Sequence, residues 1–419
     1  PLAHPTLTMA GFLFPDWIKE IRLSAANHNS ESGLPTWLIV FALAMGGFGI
    51  GTGEFAIMGL MPNVAQDLGV SEPQVGHLIS TYALGVVVGA PILAILGAQL
   101  FRRQLLILLM SFYALGNLAS ALASNYESLL VFRFIAGLPH GAYFGVAALV
   151  AASLVPVHKR AKAVSQIMMG LTLALLIGNP LATVMGQSMD WRYAFGFVGL
   201  VSLLTVVLIT LFLPQNPQEQ RHSPLSEVRA FNKPQIWFAL AIGAIGFAGM
   251  FAVFSYLAPT LLEVTRVDAV WIPVALVVFG MGGFVGNLLG GWLFDRLQFR
   301  AVGVILVFSA MILSVFPSAT GSLPVLLVVC FLTALMVALG PALQTHLMDV
   351  ATGAQTLAAA SHHAAFNLAN ALGPWLGGLA ITAGFGWQST GYVGAATAVA
   401  GLMIFLVAWR RPEPVPEAS

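Results

Sequence analysis

The sequence predicts an all-α membrane protein, and three observations support this fold class. Of 419 residues, 58% are hydrophobic and only 8% are charged, and the mean hydropathy is +0.89. A soluble domain carries roughly 25% charged residues, because its surface faces water. The apolar residues fall in runs of about 20, the length that an α-helix needs to cross the hydrocarbon core of a bilayer. Helices are expected because each one satisfies its own backbone hydrogen bonds in lipid.

Twelve apolar runs divide into two sets of six. The first set covers 36–61, 75–98, 104–123, 128–152, 163–187 and 192–213, and the second covers 237–262, 270–294, 301–318, 323–349, 356–382 and 388–410. A polar, proline-rich segment separates the sets. We therefore predict an N-terminal segment 1–35, an N-terminal bundle 36–213, a linker 214–236, a C-terminal bundle 237–410 and a tail 411–419. The segment 1–35 is predicted as an interfacial amphipathic helix or a disordered tail.

The basic residues predict the orientation in the membrane. Fourteen of the 17 Lys and Arg lie on the side that holds both termini and the linker: Lys19, Arg22, Arg102, Arg103, Lys159, Arg160, Lys162, Arg221, Arg229, Lys233, Arg296, Arg300, Arg410 and Arg411. Arg192 and Arg266 lie on the other side, and Arg133 lies inside the fourth run. By the positive-inside rule, both termini are predicted to be cytoplasmic. The expected location is a bacterial-type inner (plasma) membrane.

Composition and motifs argue against several classes of function. The net charge of +1 gives no indication of nucleic-acid binding. The single cysteine, Cys330, lies in an apolar run and is interpreted as a small buried hydrophobic residue. The sequence contains no phosphate-binding loop, no Ser/His/Asp assembly and no metal-ligand spacing. We therefore expect no enzymatic activity, no metal and no cofactor.

Several motifs resemble those of one transporter family. The segments 97–103 and 290–296 occupy matching places in the two sets, which supports duplication. Further motifs are GTGEF at 51–55, GLMP at 59–62, RFIAGLPHGAYFG at 133–145, GNP at 178–180 and NLANALGP at 367–374. Together they resemble the major facilitator superfamily, specifically its twelve-helix drug:proton antiporter branch with the arabinose and sugar efflux permeases and chloramphenicol-resistance exporters.

The resemblance implies the major facilitator fold, with two pseudo-symmetric six-helix halves and candidate gating residues between helices. The family's loop after the second helix usually reads GxxxDR. Here Phe101 takes the place of the aspartate and Arg102 remains, whereas the second half keeps Asp295 and Arg296. We expect Arg102, Asp295 and Arg296 to act in gating, with a carboxylate latch in doubt for the first half.

Three residues are candidates for proton coupling: Glu54, Arg133 and His140. Glu54 is the only carboxylate placed well inside a run, and an ionisable group there is by default a functional hypothesis. Arg133 lies at similar depth, so the two are expected to pair. The alternatives are a proton-coupling site and a permanent structural ion pair. His140 is either a proton relay or a neutral histidine bonded to a neighbouring helix, and the neutral interpretation is slightly favoured.

The candidate substrate-binding residues are polar or aromatic side chains within the runs: Tyr143, Asn179, Phe251, Tyr256, Asn287, Gln344, His363, Asn367 and Asn370. His363, Asn367 and Asn370 share one helical face. Polar residues of this kind also join neighbouring helices, and the aromatic residues at 247, 251 and 254 also suit simple packing.

The sequence thus predicts a monomeric secondary transporter that works by alternating access and exports small molecules in exchange for protons. Lipophilic drugs such as amphenicols are the first expectation for the substrate. The alternatives are a sugar or metabolite exporter and an uncoupled facilitator or importer. The expected partners are a small-molecule substrate, protons and the lipid bilayer, and the expected energy source is a proton gradient.

Overall fold

The computed structural model describes residues 36–97, 100–156, 160–215, 233–351 and 355–410, which are predominantly helical. The long helices are α1 (Thr36–Gly59), α2 (Glu72–Gly97), α3 (Arg102–Ala121), α4 (Tyr126–Ser153), α5 (Ala163–Ser188), α6 (Trp191–Phe212), α7 (Pro234–Ser255), α8 (Trp271–Leu297), α9 (Arg300–Ala319), α10 (Leu323–Val350), α11 (Gln355–Ala380) and α12 (Ser389–Trp409). The predicted segments 1–35 and 411–419 and most of the predicted linker 214–236 lie outside the described residues.

The all-α fold class is confirmed. In the described ranges, eleven helices are long and apolar enough to cross a membrane, and they coincide with eleven of the predicted crossings. The remaining predicted crossing, 356–382, coincides with α11, a helix of 26 residues that is not among those eleven. The count of twelve crossings and the predicted division into two domains therefore stay predictions.

Irregular turns interrupt two of the helices, and a third irregular segment follows α7. A π-helical turn, Ala174–Gly178, lies in α5 directly before Asn179, and a 3₁₀ turn, Leu335–Ala338, lies in α10. A short helix, Leu257–Thr260, and a π-helical turn, Leu261–Thr265, follow α7. Turns of this kind are frequent at functional sites. They also change which side chains face the neighbouring helices.

The helices α1–α6, here called the first set, pack mainly with one another, and so do α7–α12, the second set. Within the second set, α8 lies close to α10 through two glycines. A Cβ atom at Gly282 would overlap the carbonyl oxygen of Phe331, and one at Gly286 would lie 2.7 Å from that of Leu335. The small-xxx-small pattern at these positions therefore serves close helix packing.

The two sets are joined at the end of the bundle where α1 is followed by α2, here called the hairpin end. Ser80 on α2 donates from Oγ to the carbonyl oxygen of Ala371 on α11, 2.7 Å away. Gln187 on α5 donates from Nε2 to the carbonyl oxygen of Ala269, just before α8, at 3.3 Å. A Cβ atom at Gly280 on α8 would lie 2.9 Å from the α5 backbone. These contacts hold the hairpin end closed.

The opposite end, where α2 is followed by α3, is here called the linker end. Asn287 lies seven residues beyond Gly280 in this direction, on nearly the same face of α8 because seven residues make about two turns. Gly280 is buried against α5, whereas Asn287 is exposed. The close contact between α5 and α8 therefore does not extend to Asn287.

Candidate functional site

The Glu54 carboxylate lies where α1 meets the second set, and the residue is 1% exposed. Asn370 on α11 donates a hydrogen bond from Nδ2 to Oε1 of Glu54, at 2.8 Å. This bond joins the two sets across their interface. Among the described residues Glu54 is the only buried carboxylate. A buried acid in a membrane-spanning helix is costly, so a bond of this kind marks a candidate functional site.

Arg133 on α4 is fully buried beside this carboxylate but does not pair with it. Its Nη1 donates to the carbonyl oxygen of Gly53 at 2.8 Å, and its guanidinium carbon lies 4.2 Å from the centre of the Tyr82 ring. No ion pair between Arg133 and Glu54 occurs in the described part of the chain. The predicted direct pairing is therefore wrong for this conformation, because Arg133 is directed to the backbone before Glu54 while Asn370 contacts the carboxylate.

A chain of hydrogen bonds leads from His140 to the backbone of α1. Tyr113 donates from its hydroxyl to the carbonyl oxygen of Ile50 at 3.0 Å. The Tyr82 hydroxyl lies 3.3 Å from that of Tyr113 and 3.0 Å from Nδ1 of His140. Because a carbonyl can only accept, the hydrogen of Tyr113 points to Ile50, and for the Tyr82–Tyr113 contact to be a hydrogen bond as well Tyr82 is its donor. In that arrangement the bond between Tyr82 and His140 requires a hydrogen on Nδ1 of the histidine.

A cluster of aromatic rings lies at the interface between the two sets. Phe55 on α1 stacks on Phe251 of α7 at a centroid distance of 6.5 Å. Phe254 stacks on Phe279 of α8 at 4.1 Å, and Phe366 of α11 lies 5.1 Å from Phe251. These five residues are here called the aromatic cluster. Its member on α1, Phe55, directly follows Glu54 in the sequence. Rings of this kind suit flat, apolar molecules.

The structure brings some of the predicted substrate residues to the interface and assigns others to helix packing. His363 on α11 stacks on Phe144 of α4, with 5.8 Å between ring centroids. Tyr143 donates to the carbonyl oxygen of Leu43 at 2.8 Å, which fastens α4 to α1 within the first set. Tyr256 donates to the carbonyl oxygen of Pro374 at 2.8 Å and lies at the closed hairpin end.

The remaining predicted positions differ in exposure. Asn287 is exposed on α8, about 12 Å along the helix from Phe279 at 1.5 Å per residue. Gln344 is half-buried on α10. Asn367 is buried and donates from Nδ2 to the carbonyl oxygen of His363, one turn earlier in α11.

Several buried polar atoms near the interface have no hydrogen-bond partner in the described part of the chain. They are Nε and Nη2 of Arg133, Oδ1 of Asn117, both amide atoms of Asn179, Oγ of Ser255, Oδ1 of Asn367 and Oδ1 of Asn370. Buried polar groups nearly always have partners. Polar atoms of this kind can bind a polar substrate group, water or a protonated acid.

The predicted gating residues lie at the linker end, away from this interface. Arg102 is partly buried at the start of α3. Asp295 and Arg296 are exposed in the last turn of α8, and the Arg296 guanidinium lies 4.2 Å from the centre of the Trp292 ring. Arg103, which the sequence did not single out, donates from Nη2 to the carbonyl oxygen of Thr210 at 2.7 Å, joining α3 to α6.

The sequence prediction missed five residues of the site: Tyr82, Tyr113, Phe55, Phe279 and Phe366. The two tyrosines are fully buried and carry hydroxyl groups inside predicted crossings, which was a usable signal. The three phenylalanines are common residues in apolar runs and give no signal of their own. Their role in the cluster depends on which helices meet at the interface.

The fold and the site define the class of protein: a multi-pass membrane transport protein with a polar and aromatic centre between two sets of helices. The chain belongs to the Major Facilitator Superfamily, whose family model matches residues 43–355. The structure of a bacterial homolog of the human lysosomal transporter Spinster, in an inward-facing and unoccupied conformation, superimposes with a TM-score of 0.73 at 17% identity. That match covers 91% of this chain and 99% of the other.

Three relatives place the chain within the family. The inner membrane transport protein YdhP of Escherichia coli K12 is 38% identical over 91% of this chain and 98% of that protein. The putative transporter AraJ of the same strain is 32% identical over 88% and 94%, and the chloramphenicol resistance protein of Streptomyces lividans is 32% identical over 81% and 87%. The resemblance drawn from the motifs is thereby confirmed, and the protein is a transporter of this group.

Proposed function

We propose that the protein exports small molecules in exchange for protons, by alternating access. The observation that carries this proposal is the hydrogen bond from Asn370 to the Glu54 carboxylate, 2.8 Å long, across the interface of the two sets. Alternating access requires the two sets to move against each other around a central site. A titratable group that bonds to the opposite set can link its protonation to that movement. The name of the S. lividans relative supports export as the direction.

The basic residues support a cytoplasmic linker end. Arg102, Arg296, Arg300 and Arg410 lie there, whereas Arg192 and Arg266 lie at the hairpin end. In the proposed cycle, Glu54 takes up a proton while the hairpin end is open to the outside. The hairpin end then closes, as in this structure, and Glu54 releases the proton to the cytoplasm before substrate is carried out. The transporter works as a monomer, needs no cofactor and is driven by the proton gradient across the inner membrane.

A lipophilic aromatic drug such as an amphenicol is the proposed substrate class. The aromatic cluster supports this choice, because it offers stacked rings at the interface and contains no charged side chain. Sugars or related metabolites are the second candidate. The unpartnered amide atoms of Asn179 and Asn367 favour them, since amides commonly bond to hydroxyl groups.

The test is transport by the purified protein in proteoliposomes, with chloramphenicol as the probe and an imposed pH gradient. Glu54→Gln keeps the size of the protonated side chain but cannot exchange a proton. We expect it to abolish uphill transport and to leave the exchange of labelled for unlabelled chloramphenicol intact. Glu263→Gln, at an exposed position of the hairpin end, is the matched control and should transport normally.

Two outcomes would contradict parts of this proposal. Uphill transport by Glu54→Gln at the wild-type rate would show that another residue carries the proton, and His140→Gln would be the next variant. A wild-type protein that equilibrates chloramphenicol or a sugar without responding to the pH gradient would be an uncoupled facilitator.

A further inference from the structure

Only one of the two polar atoms of the Asn370 side chain forms a hydrogen bond with Glu54. Its Nδ2 donates to Oε1 of Glu54, whereas its Oδ1 is buried and has no donor in the described part of the chain. The residue is fully buried on α11, on the opposite side of the interface from α1. A buried, unpaired acceptor is energetically unfavourable. The unpaired acceptor belongs to Asn370, the residue that contacts Glu54, the only buried acid among the described residues.

The chemistry of the two side chains explains what would satisfy this acceptor. An ionised carboxylate has only acceptors, so it can take one N–H from the amide and can give nothing to Oδ1. A protonated carboxyl group has one O–H donor as well. It can accept from Nδ2 and donate to Oδ1 at the same time, because a planar acid and a planar amide match as a pair with two parallel hydrogen bonds.

We propose that Asn370 is the residue that converts protonation of Glu54 into closure of the hairpin end. Ionised Glu54 holds Asn370 by one hydrogen bond, and protonated Glu54 holds it by two, so proton uptake strengthens the contact between α1 and α11. The hydrogen bond from Ser80 to Ala371, the residue after Asn370, forms when α1 and α11 come together. This inference rests on the proposed function in taking Glu54 as the proton carrier. It makes Asn370 a positioning residue for the proton step.

Several other ionisable side chains lie near Glu54. Arg133 on α4 acts electrostatically on its carboxylate, and Glu54 in turn acts on Tyr82 of α2 and Tyr113 of α3. Arginine and tyrosine side chains keep their protonation state between about pH 5 and 8. The helices α5, α6, α7 and α8, which also pack on α1, carry no buried Asp, Glu, Lys, Arg or His in the described ranges.

Three histidines on α4 and α11 are therefore the rival sources of a pH response between the two sets. His140 on α4 bonds to Tyr82, and His363 on α11 stacks on Phe144 across the interface. His362 is buried beside His363, with 6.0 Å between the ring centroids. Histidine titrates near neutral pH when unperturbed, and variants at these three positions separate their contribution from that of Glu54.

The experiment measures the distance between spin labels at the hairpin end as a function of pH. Leu122 follows α3 in the first set and is 83% exposed, and Phe385 follows α11 in the second set and is 74% exposed. Cysteines at these positions are labelled in full-length Cys330→Ser protein, which is reconstituted in nanodiscs. On acidification from about pH 8 to pH 5, we expect the closed population to rise about five- to tenfold relative to the open one, the effect of one added hydrogen bond.

The variants give different expected results. Glu54→Gln mimics the protonated acid, since its amide can form both bonds with Asn370, and should stay at the acidic distribution at every pH. Asn370→Ala should lose the pH response. Ser309→Ala is the control: it also removes a buried polar side chain from the second set, but that hydroxyl bonds to the carbonyl oxygen of Ile305 within α9. It should respond like the wild type.

The outcomes separate this inference from the proposed function. A wild-type pH response in Asn370→Ala would overturn the role of Asn370, while the proposed function would still stand if Glu54→Gln had abolished uphill transport. A pH response that persists in Glu54→Gln, or disappears in His140→Gln, His362→Gln or His363→Gln, would assign the response to another group and also overturn the inference. If Asn370→Ala does not fold, Asn370→Ser, whose shorter side chain cannot form the paired bonds, is measured with the same expectation.

Discussion

Tyr113 on α3 occupies the space that a side chain at Gly53 on α1 would need. A Cβ atom at Gly53 would overlap the Tyr113 hydroxyl and would lie 2.9 Å from a methyl group of Val198. The same glycine gives its carbonyl oxygen to Arg133. Because it has no side chain, Gly53 allows α3 and α4 to pack closely against α1 directly beside Glu54.

Gly53→Ala should destabilise the protein by about 1–3 kcal/mol, because overpacking forces the Tyr113 ring away from Ile50. Thermal unfolding of the detergent-purified protein measures the loss. Gly196→Ala, in α6, is the control, since a Cβ atom there would have no neighbour within 4 Å. Alanine in an unhindered helix is neutral or stabilising. Equal melting temperatures for the two variants would show that α3 tolerates displacement from α1.

Replacing Arg133 by lysine should cost stability although the charge is kept. Lysine cannot lie flat on the Tyr82 ring, and it cannot reproduce the directed bond from Nη1 to Gly53. We expect a loss of about 1–3 kcal/mol from the hydrogen bond and the cation–π contact together. Arg410→Lys, at an exposed position, should melt like the wild type. If Arg133→Lys were equally stable, charge alone would be what the site requires.

Ser80→Ala should open the hairpin end. The variant removes the 2.7 Å bond to Ala371, which joins the two sets, and a single buried hydrogen bond shifts an equilibrium by about fivefold. The measurement is the distance distribution between spin labels at Leu122 and Phe385. Ser120→Ala is the matched control, since Ser120 is also buried but bonds to Gly116 within α3. An unchanged distribution for Ser80→Ala would mean that this bond does not limit opening.

The predicted orientation can be tested with single cysteines in a Cys330→Ser background. Leu122 is 83% exposed at the hairpin end, and Leu100 is 38% exposed at the linker end. A membrane-impermeant maleimide should label Leu122→Cys in intact cells and Leu100→Cys only after permeabilisation, because the distribution of basic residues predicts a cytoplasmic linker end. Labelling in the reverse order would invert the topology and the direction of the proposed cycle.

The helices and the candidate acid could be predicted from the sequence because lipid imposes simple conditions. Apolar runs of about 20 residues have few alternatives to helices in a bilayer. An acid inside such a run is rare enough to single out Glu54. Its partner was harder to predict, since Asn370 was one of several buried amides and its facing depends on how α11 is rotated against α1. The pairing with Arg133 was wrong because similar depth does not determine which atoms face each other.

Asp67 provides a pH-dependent contact outside the membrane-spanning helices. It lies on the short helix Met61–Leu68 at the hairpin end, where Trp191 donates from Nε1 to Oδ2 at 3.0 Å and Arg192 donates from Nη1 to the same oxygen at 2.8 Å. The hydrogen bond from Trp191, followed by that from Arg192, holds the pKa of this carboxyl below its usual value. The contact fastens the end of α1 to the start of α6.

Asp67→Asn should therefore lower stability at neutral pH and matter less in acid. Because the pKa is lower in the folded than in the unfolded protein, the ionised group stabilises the fold above the unfolded value of about 3.9, and this contribution is lost as the pH falls through the folded value. The side chain is 42% exposed, so solvent screening limits the effect to about 1 kcal/mol or less. The stability loss is measured from the melting temperatures of wild type and Asp67→Asn at about pH 7 and pH 3. Asp268→Asn, which changes an exposed aspartate at the same end, is the control. If the difference in melting temperature between wild type and Asp67→Asn were larger at pH 3 than at pH 7, the protonated form of Asp67 would be the one bound to Trp191 and Arg192.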